Sequence, residues 1–454
     1  MNLIEEALKR TPDTRACIIA ADAVNETGRM FKTLFPTAKK VFLVADPRTY
    51  AVAGECAEVM LKHEGLDVSR YLLGADGQPF HAEYKWIEQL RDAYQVQFAA
   101  GGVPMVAVGS GTVNDIVKRT SEEVGVRYMV VGTAASMDGY TSFGAAITKD
   151  GMKQTLSCRA PLGCIVDSRI AAAAPKEMVA SGYADLMAKI PAGADWILAD
   201  AIGSEAIDKA AWEFVQGPLR ESLSNPSGAA SGDIAETEKL CAGLVMSAFA
   251  MQAMNSSRPA SGTEHQVSHY WDMENLSFGG LPVSHGFKVG IGTLVSTKTI
   301  EFLLRQDLSN LDVEGAVAHW WPDFGSVSAT FPRVFGNRPD HIRRAQMEYP
   351  KKFPTRAQLR QELMLVKSLW PELSAKMKSQ LMPFEEVREN LKKVGAPYEP
   401  EMIGVSRARF RETYAGVPYM RARYFSLDLV DRLGLTERLL DELFGKGGVW
   451  EVGG

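Results

Sequence analysis

Cysteine is scarce in this chain of 454 residues: only Cys17, Cys56, Cys158, Cys164 and Cys241 are present. An odd number without Cys-x-x-Cys spacing excludes a disulfide framework and a zinc knuckle, and leaves these side chains as small hydrophobes. Neither sign of charge dominates. The 50 Lys and Arg face 55 Asp and Glu for a net charge of -5, with no basic block to follow a phosphate backbone, so nucleic acid is not an expected partner. No stretch reaches the about 18 uninterrupted apolar residues of a membrane span, and Glu5 and Glu6 precede any apolar core. The expectation is a cytoplasmic protein without membrane insertion. Internal repeats and low-complexity segments are also missing. What is there is ordinary globular material, 46% hydrophobic with 40 Gly and 22 Pro, long enough for two or three domains.

From about residue 40 to 170, short apolar runs alternate with helical patterns, which predicts a mostly parallel sheet with crossover helices. The strands are expected at Val41–Ala45, Val103–Val108, Tyr128–Val131 and Gly163–Val166. Between the first two, Ala53, Cys56, Val59, Met60 and His63 recur as the buried stripe of a helix. Phe143–Cys158 flanks Asp150-Gly151, a dipeptide suited to a two-residue turn, and is expected as a β-hairpin. After about Ala174 the strand runs stop. Glu236–Asn255, Gly290–Arg305 and Leu427–Phe444 carry helical periodicity, and Pro322, Pro332, Pro339, Pro350 and Pro354 divide the second half. The pair Trp320-Trp321 reads as helix packing.

Four patterns can carry chemistry. Gly109-Ser110-Gly111-Thr112-Val113 joins an apolar strand to a helix, where glycines let the backbone approach a pyrophosphate and the helix N-terminus offers N–H groups to the anion. A bare strand-turn-helix is equally common as plain structure. Asp46 ends the strand Val41–Ala45, where an acid can hold a ribose 2′-hydroxyl or merely cap a helix. Thr133-Ala134-Ala135-Ser136 and Asp138 follow a third strand, either as a ligand loop or as an ordinary turn. The histidines are the strongest signal. Of seven, His265, His269 and His285 fall within 21 residues, and the first two would share one helix face. With Asp185, inside the apolar run Tyr183–Ile190, two imidazoles and a carboxylate make a three-ligand metal site with an open position.

On these residues the chain resembles the sn-glycerol-1-phosphate dehydrogenase family, within the group of iron-type alcohol dehydrogenases and dehydroquinate synthases. The similar segments are Gly109–Lys118, Thr133–Ser142, Gly182–Lys189, Arg258–His269 and His285-Gly286, with a looser echo at Tyr419–Asp428. The resemblance implies an α/β dinucleotide-binding domain at 1–174 and an all-α metal- and substrate-binding domain at 175–454, a dehydroquinate synthase-like fold. It implies that Gly109–Val113 (including Ser110, Gly111 and Thr112), Thr133–Ser136 (with Ala134 and Ala135), Ser142 and Asp46 hold NAD, with NADP possible. By the same resemblance Asp185, His265 and His285 bind one divalent metal, zinc or nickel, and Asp138 and His269 contact substrate.

The implied reaction is hydride transfer between a nicotinamide and dihydroxyacetone phosphate to give sn-glycerol 1-phosphate, in a homodimer. His269 would orient the substrate or relay its proton through water. The family's usual residues differ at Ser110, Thr112, Met137 and Phe287-Lys288, departures that bear on substrate choice more than on reaction type. The phosphate pocket is not marked: Lys149, Lys153 and Lys288 are candidates only because they neighbour the motifs, and solvated surface lysines are the favoured reading. Three rival readings use the same scaffold. One is a polyol dehydrogenase of the glycerol dehydrogenase kind. A second is a dehydroquinate synthase-like lyase, disfavoured by Asp185 where that family has Glu. The third is a catalytically silent nucleotide-binding protein.

Overall fold

The computed structural model describes residues 3–75, 81–149 and 152–453, and they form two compact units. The first comprises the described residues of Met1–Leu186, Ala210–Ser257 and Lys393–Gly395; the second, those of Met187–Lys209, Arg258–Lys392 and Ala396–Gly454.

The first unit is built on β1 (Ala16–Ala20), β2 (Lys40–Ala45), β3 (Asp67–Leu72), β4 (Met105–Gly109), β5 (Tyr128–Gly132) and, after a hairpin of β6 (Ala145–Lys149) and β7 (Met152–Leu156), β8 (Gly163–Asp167). The sheet runs in the order β1-β8-β5-β4-β2-β3, every pair parallel. β4, β5 and β8 are buried at every position, which is why they read as continuous apolar runs. Val41, Leu43, Val106, Val108, Met129 and Val131 point to one face, against Phe31, Ala57 and Leu61. Phe42 points to the other, its ring 5.8 Å from Tyr94 and 5.4 Å from Phe98. With helices on both faces, the strands' carboxyl ends are where a ligand has access.

Two strands were not foreseen. β1 lies outside the scanned interval, and β3, with the mixed sequence Asp-Val-Ser-Arg-Tyr-Leu, is an edge strand without a continuous apolar run. The expected helix between β2 and β3 exists at Glu55–His63, but its buried stripe is Ala53, Ala57 and Leu61, while Val59 is 54% exposed. A π-helical turn at Tyr50–Gly54 precedes it. The hairpin forms with Lys149 opposite Met152; the expected turn residues Asp150 and Gly151 lie outside the described residues.

The second unit is helical apart from an antiparallel pair, Ser277–Phe278 with Leu281–Pro282. That exception to an all-helical second half is made by Gly279 and Gly280, whose φ angles of 59° and 79° suit a tight hairpin turn. The span expected at Leu427–Phe444 is two helices, Ser426–Arg432 and Thr436–Phe444, separated at Gly434 with φ 69°. Pro332 and Pro339 open short helices, where the missing N–H costs nothing. Trp320 is buried and stacks on Phe353 at 5.6 Å. No helix of the described residues is long and apolar enough to cross a membrane. All five cysteines are free thiols, and burial pushes Cys158 and Cys241 up to about 12, so neither is a nucleophile at neutral pH.

Candidate active site

In the first unit, three adjacent strands deliver the expected nucleotide residues to one edge of the sheet. Ala45 of β2 lies beside Val108 of β4, and Gly109 beside Gly132 of β5. Asp46, the Gly109–Val113 turn and the Thr133–Ser136 loop therefore emerge side by side, tied by the Thr133 N–H donating to Gly109 O at 3.2 Å and Thr49 Oγ1 to Val108 O at 2.9 Å. Ser110 caps the helix Gly111–Glu123 in extended conformation without a side-chain hydrogen bond. Its first N–H groups and dipole thus point to the turn. Space is tight here. A Cβ on Gly111 would stand 3.0 Å from Met137 Cε, and one on Gly139 2.8 Å from Met137 Sδ, so the thioether occupies the corner between the two loops.

Asp46 is a helix cap: Oδ1 accepts from the N–H groups of Arg48 and Thr49, and Oδ2 from Thr49 Oγ1. The plainer of the two readings of this residue is realised, and any ribose contact is made by a carboxylate already fixed in place.

Two residues overlooked in the sequence organise the next loop. Lys118, fully buried, donates to the carbonyl oxygens of Gly139, Ser142 and Gly144 at 2.9, 3.1 and 3.1 Å. Asn114 accepts from Tyr128 OH at 3.0 Å and donates to Gly139 O and Tyr140 O at 3.4 Å. Ser142 Oγ turns back to Gly139 O at 3.1 Å. The loop places Asp138, whose Oδ2 accepts from Ser247 Oγ at 2.9 Å. Its N–H donates to Asp185 Oδ2 at 3.1 Å, orienting that buried carboxylate. Asp185 rides on the helix Lys176–Met187, which approaches the Thr133–Ser136 loop at Gly182; a Cβ there would stand 2.0 Å from Ala135 O. The signal was present as polar residues at Asn114 and Lys118 beside Val113, Ile116 and Val117 on the buried part of the helix.

In the second unit the histidines converge as their spacing predicted. His265 and His269 lie one turn apart on the helix Thr263–Met273, and His285 opens the helix His285–Leu304. Ring centroids are 5.4 Å apart for His265 and His285, and 6.5 Å for His265 and His269. The two helices cross closely because Gly292 presents no side chain; a Cβ would lie 2.3 Å from Glu264 O. Glu264, fully buried, accepts with one oxygen from the Gly262 N–H at 2.6 Å and from His265 Nδ1 at 2.8 Å. A carboxylate accepts only, so Nδ1 carries the proton and Nε2 is the nitrogen through which His265 would ligate. His285 Nδ1 is 3.5 Å from Ser268 Oγ.

His269 Nδ1 stands 3.7 Å from Asp272 Oδ2, and Asp272 also pairs with Lys288. Solvent reaches 47% of the His269 side chain. Desolvation by its surroundings holds its pKa below the usual histidine range against the raising effect of Asp272, with Arg421 adding to the lowering. The lysines considered for a phosphate are differently employed. Lys288 is buried rather than a solvated surface group, and the Lys149 ammonium sits 4.0 Å from the centre of the Tyr84 ring.

Residues 18–175 match the model of the iron-containing alcohol dehydrogenase family. A glycerol-1-phosphate dehydrogenase (NAD(P)+) of Halalkalibacterium halodurans is 32% identical over 281 residues, covering 61% of this chain and 68% of the relative. The chain belongs to the glycerol-1-phosphate dehydrogenase family. The enzyme of that name from Pyrococcus furiosus is 31% identical over 281 residues, 62% of this chain and 77% of its own. Among solved structures, a probable glycerol dehydrogenase of Sinorhizobium meliloti superposes with a TM-score of 0.57 at 15% identity, over 94% of this chain and 97% of that one, a likeness of fold. The expected architecture, a parallel α/β region followed by a mainly helical one of dehydroquinate synthase type, is therefore borne out.

Proposed function

We propose that this chain is a metal-dependent oxidoreductase that transfers a hydride between NAD(P)H and dihydroxyacetone phosphate, giving sn-glycerol 1-phosphate. The observation that carries the reading is the His265–His285 pair at 5.4 Å, with Glu264 fixing the proton of His265. A buried imidazole oriented by a carboxylate is the usual support of a metal ligand.

In this reading Asp185, His265 and His285 hold one divalent cation, zinc or nickel; each offers one ligand atom, and the set of two imidazoles and one carboxylate suits either metal. The turn and helix start at Gly109–Val113, the loop Thr133–Ser136, Ser142 and Asp46 hold the dinucleotide, NAD or NADP. The cation would supply Lewis acidity at the carbonyl oxygen and the nicotinamide the hydride. The remaining work falls to the chain. Asp138, held by Ser247, and His269, held by Asp272, bind and orient the ketone so that its carbon presents one face. His269 moves the proton that the product hydroxyl requires. Residues 1–174 serve as the nucleotide part and 175–454 as the metal and substrate part, in a cytoplasmic homodimer that feeds glycerolipid head-group synthesis.

The test is NADH and NADPH oxidation by zinc- or nickel-reconstituted protein with dihydroxyacetone phosphate, beside dihydroxyacetone, with stereospecific assay of the product. Turnover on the phosphate ester with sn-glycerol 1-phosphate as product is expected, as is loss of both bound metal and turnover in His285→Ala. Activity confined to dihydroxyacetone would move the chain to the polyol dehydrogenases. Metal and turnover intact in His285→Ala would overturn the ligand assignment.

A further inference from the structure

The helix that carries His265 starts at Thr263 behind Gly262, which has no side chain to cap it. The first N–H groups of a helix need acceptors from elsewhere, and two buried carboxylates supply them. Glu264 Oε1 takes the Gly262 N–H, and Asp195 Oδ2 takes the Thr263 N–H at 2.8 Å. Asp195, on the helix Lys189–Ala201, is fully buried, and its other oxygen is engaged as well: Oδ1 accepts from the Ser426 N–H at 2.8 Å and from Ser426 Oγ. One carboxylate thus joins the first turn of the histidine helix to the first turn of the helix Ser426–Arg432. The Asp195 carbonyl oxygen is in turn held by Arg258 Nη2 at 2.7 Å.

The two carboxylates crowd one point. A Cβ on Gly262 would stand 2.6 Å from Asp195 Oδ2, 2.8 Å from Glu264 Oε2 and 2.9 Å from Ala192 Cα, so the absent side chain is what lets them meet. Burial, with the Glu264 charge adding, pushes the Asp195 carboxyl up, while the buried Arg258 guanidinium attracts both acids. Glu264 Oε2 is buried and has no hydrogen-bond partner among the described residues, a costly state for a carboxylate oxygen. Glu264 would relieve that cost by turning Oε2 onto a donor of the first turn. The donor next to it along the chain is the Thr263 N–H, and Asp195 already occupies it. Glu264 is therefore left with the bonds of Oε1, to the Gly262 N–H and to His265 Nδ1.

We propose that Asp195 is a positioning residue for His265: by holding the Thr263 N–H it mounts the turn that carries the imidazole and keeps Glu264 committed to Nδ1. The proton is thereby kept on Nδ1, and Nε2 is left unprotonated, as a metal ligand must be. The metal part of this inference rests on the functional reading above. The tautomer is a property of the chain before any cation arrives.

The experiment compares wild type with Asp195→Ala, Asp195→Asn and Ser426→Ala in the full chain. Long-range proton–nitrogen correlation spectra of the metal-free protein, labelled at histidine, report which ring nitrogen of His265 carries the proton; the signal is assigned by its loss in His265→Phe. Wild type should show the Nδ1–H form, and Asp195→Ala a mixture of both tautomers. Affinity for zinc, from competition with a chromogenic chelator, should fall about 10- to 100-fold in Asp195→Ala. Asp195→Asn should recover most of both readings, because its amide oxygen still accepts from the Thr263 N–H while its NH2 turns to Ser426 Oγ. Ser426→Ala breaks a bond to the same carboxylate without touching the histidine helix, and should keep the wild-type tautomer and affinity. An unchanged tautomer in Asp195→Ala, or equal effects of Asp195→Ala and Ser426→Ala, would overturn the assignment. If wild type binds neither zinc nor nickel, the metal reading fails and the spectra still decide the role of Asp195. Should Asp195→Ala not fold, Asp195→Ser, which leaves a smaller cavity, carries both comparisons.

Discussion

Replacing Gly292 by alanine tests whether the spacing of two helices sets the histidine pair. The new Cβ would lie 2.3 Å from Glu264 O and 3.0 Å from Glu264 Cα, whereas relaxed carbon contacts need about 3.5 Å. Main-chain atoms of a helix cannot rotate aside, so the helices Thr263–Met273 and His285–Leu304 must part by about 1 Å. Overpacking of this size costs about 1–3 kcal/mol. At about 2–4 °C per kcal/mol, the metal-free protein should melt about 2–12 °C lower by calorimetry. The same shift opens the 5.4 Å separation of the His265 and His285 rings and carries Glu264 with it. Affinity for zinc or nickel, measured by competition with a chromogenic chelator, should drop about 10- to 100-fold, as when an outer partner of a ligand is disturbed. An unchanged melting temperature would refute the packing argument. A lowered one with metal affinity intact would show that this crossing does not govern the pair.

Two further outcomes follow from buried charge. Lys118→Met removes three hydrogen bonds from an ammonium to the Gly139–Gly144 backbone. It should cost about 3 kcal/mol and raise the KM for NADH about tenfold; limited proteolysis should then cut near Gly139, and an uncut loop with normal KM would count against this anchor. Burial, with Asp428 adding, pushes Asp431 up to about 6. An acid whose folded pKa lies above its unfolded value of about 3.9 contributes stability fully below about pH 4 and loses it as pH rises to about 6, at most about 3 kcal/mol. Asp431→Asn should therefore flatten the urea midpoint between about pH 4 and 6 relative to wild type. Parallel profiles for the two proteins would rule this out.

The candidate nucleotide edge of the sheet was legible because backbone needs leave marks: apolar strands, glycine where a Cβ collides, small residues in the following loop. The histidine cluster was legible for a similar reason, since i, i+4 spacing on a helix is geometry written directly in the numbering. Phase proved harder. Val59 is exposed because the helix Glu55–His63 buries the face of Ala57 and Leu61, and apolar residues at helical spacing on both faces leave the choice to packing. Lys118 was visible as a polar residue among apolar neighbours, but its partners were not, because they are carbonyl groups more than 20 positions away.

The way Lys118 holds its loop bears on how the chain tolerates change. All three of its hydrogen-bond acceptors between Gly139 and Gly144 are carbonyl oxygens of the main chain. Every amino acid supplies that group, so this tether is blind to side-chain identity. The tether itself sets no demand on the side chains beside Asp138; the demands there come from packing, as at Gly139 and Gly144, where a Cβ would collide. Lys118 itself has no such freedom. One buried cation thus separates the two requirements of a variable site, constancy of backbone and licence of surface, and assigns the first to a residue outside the loop.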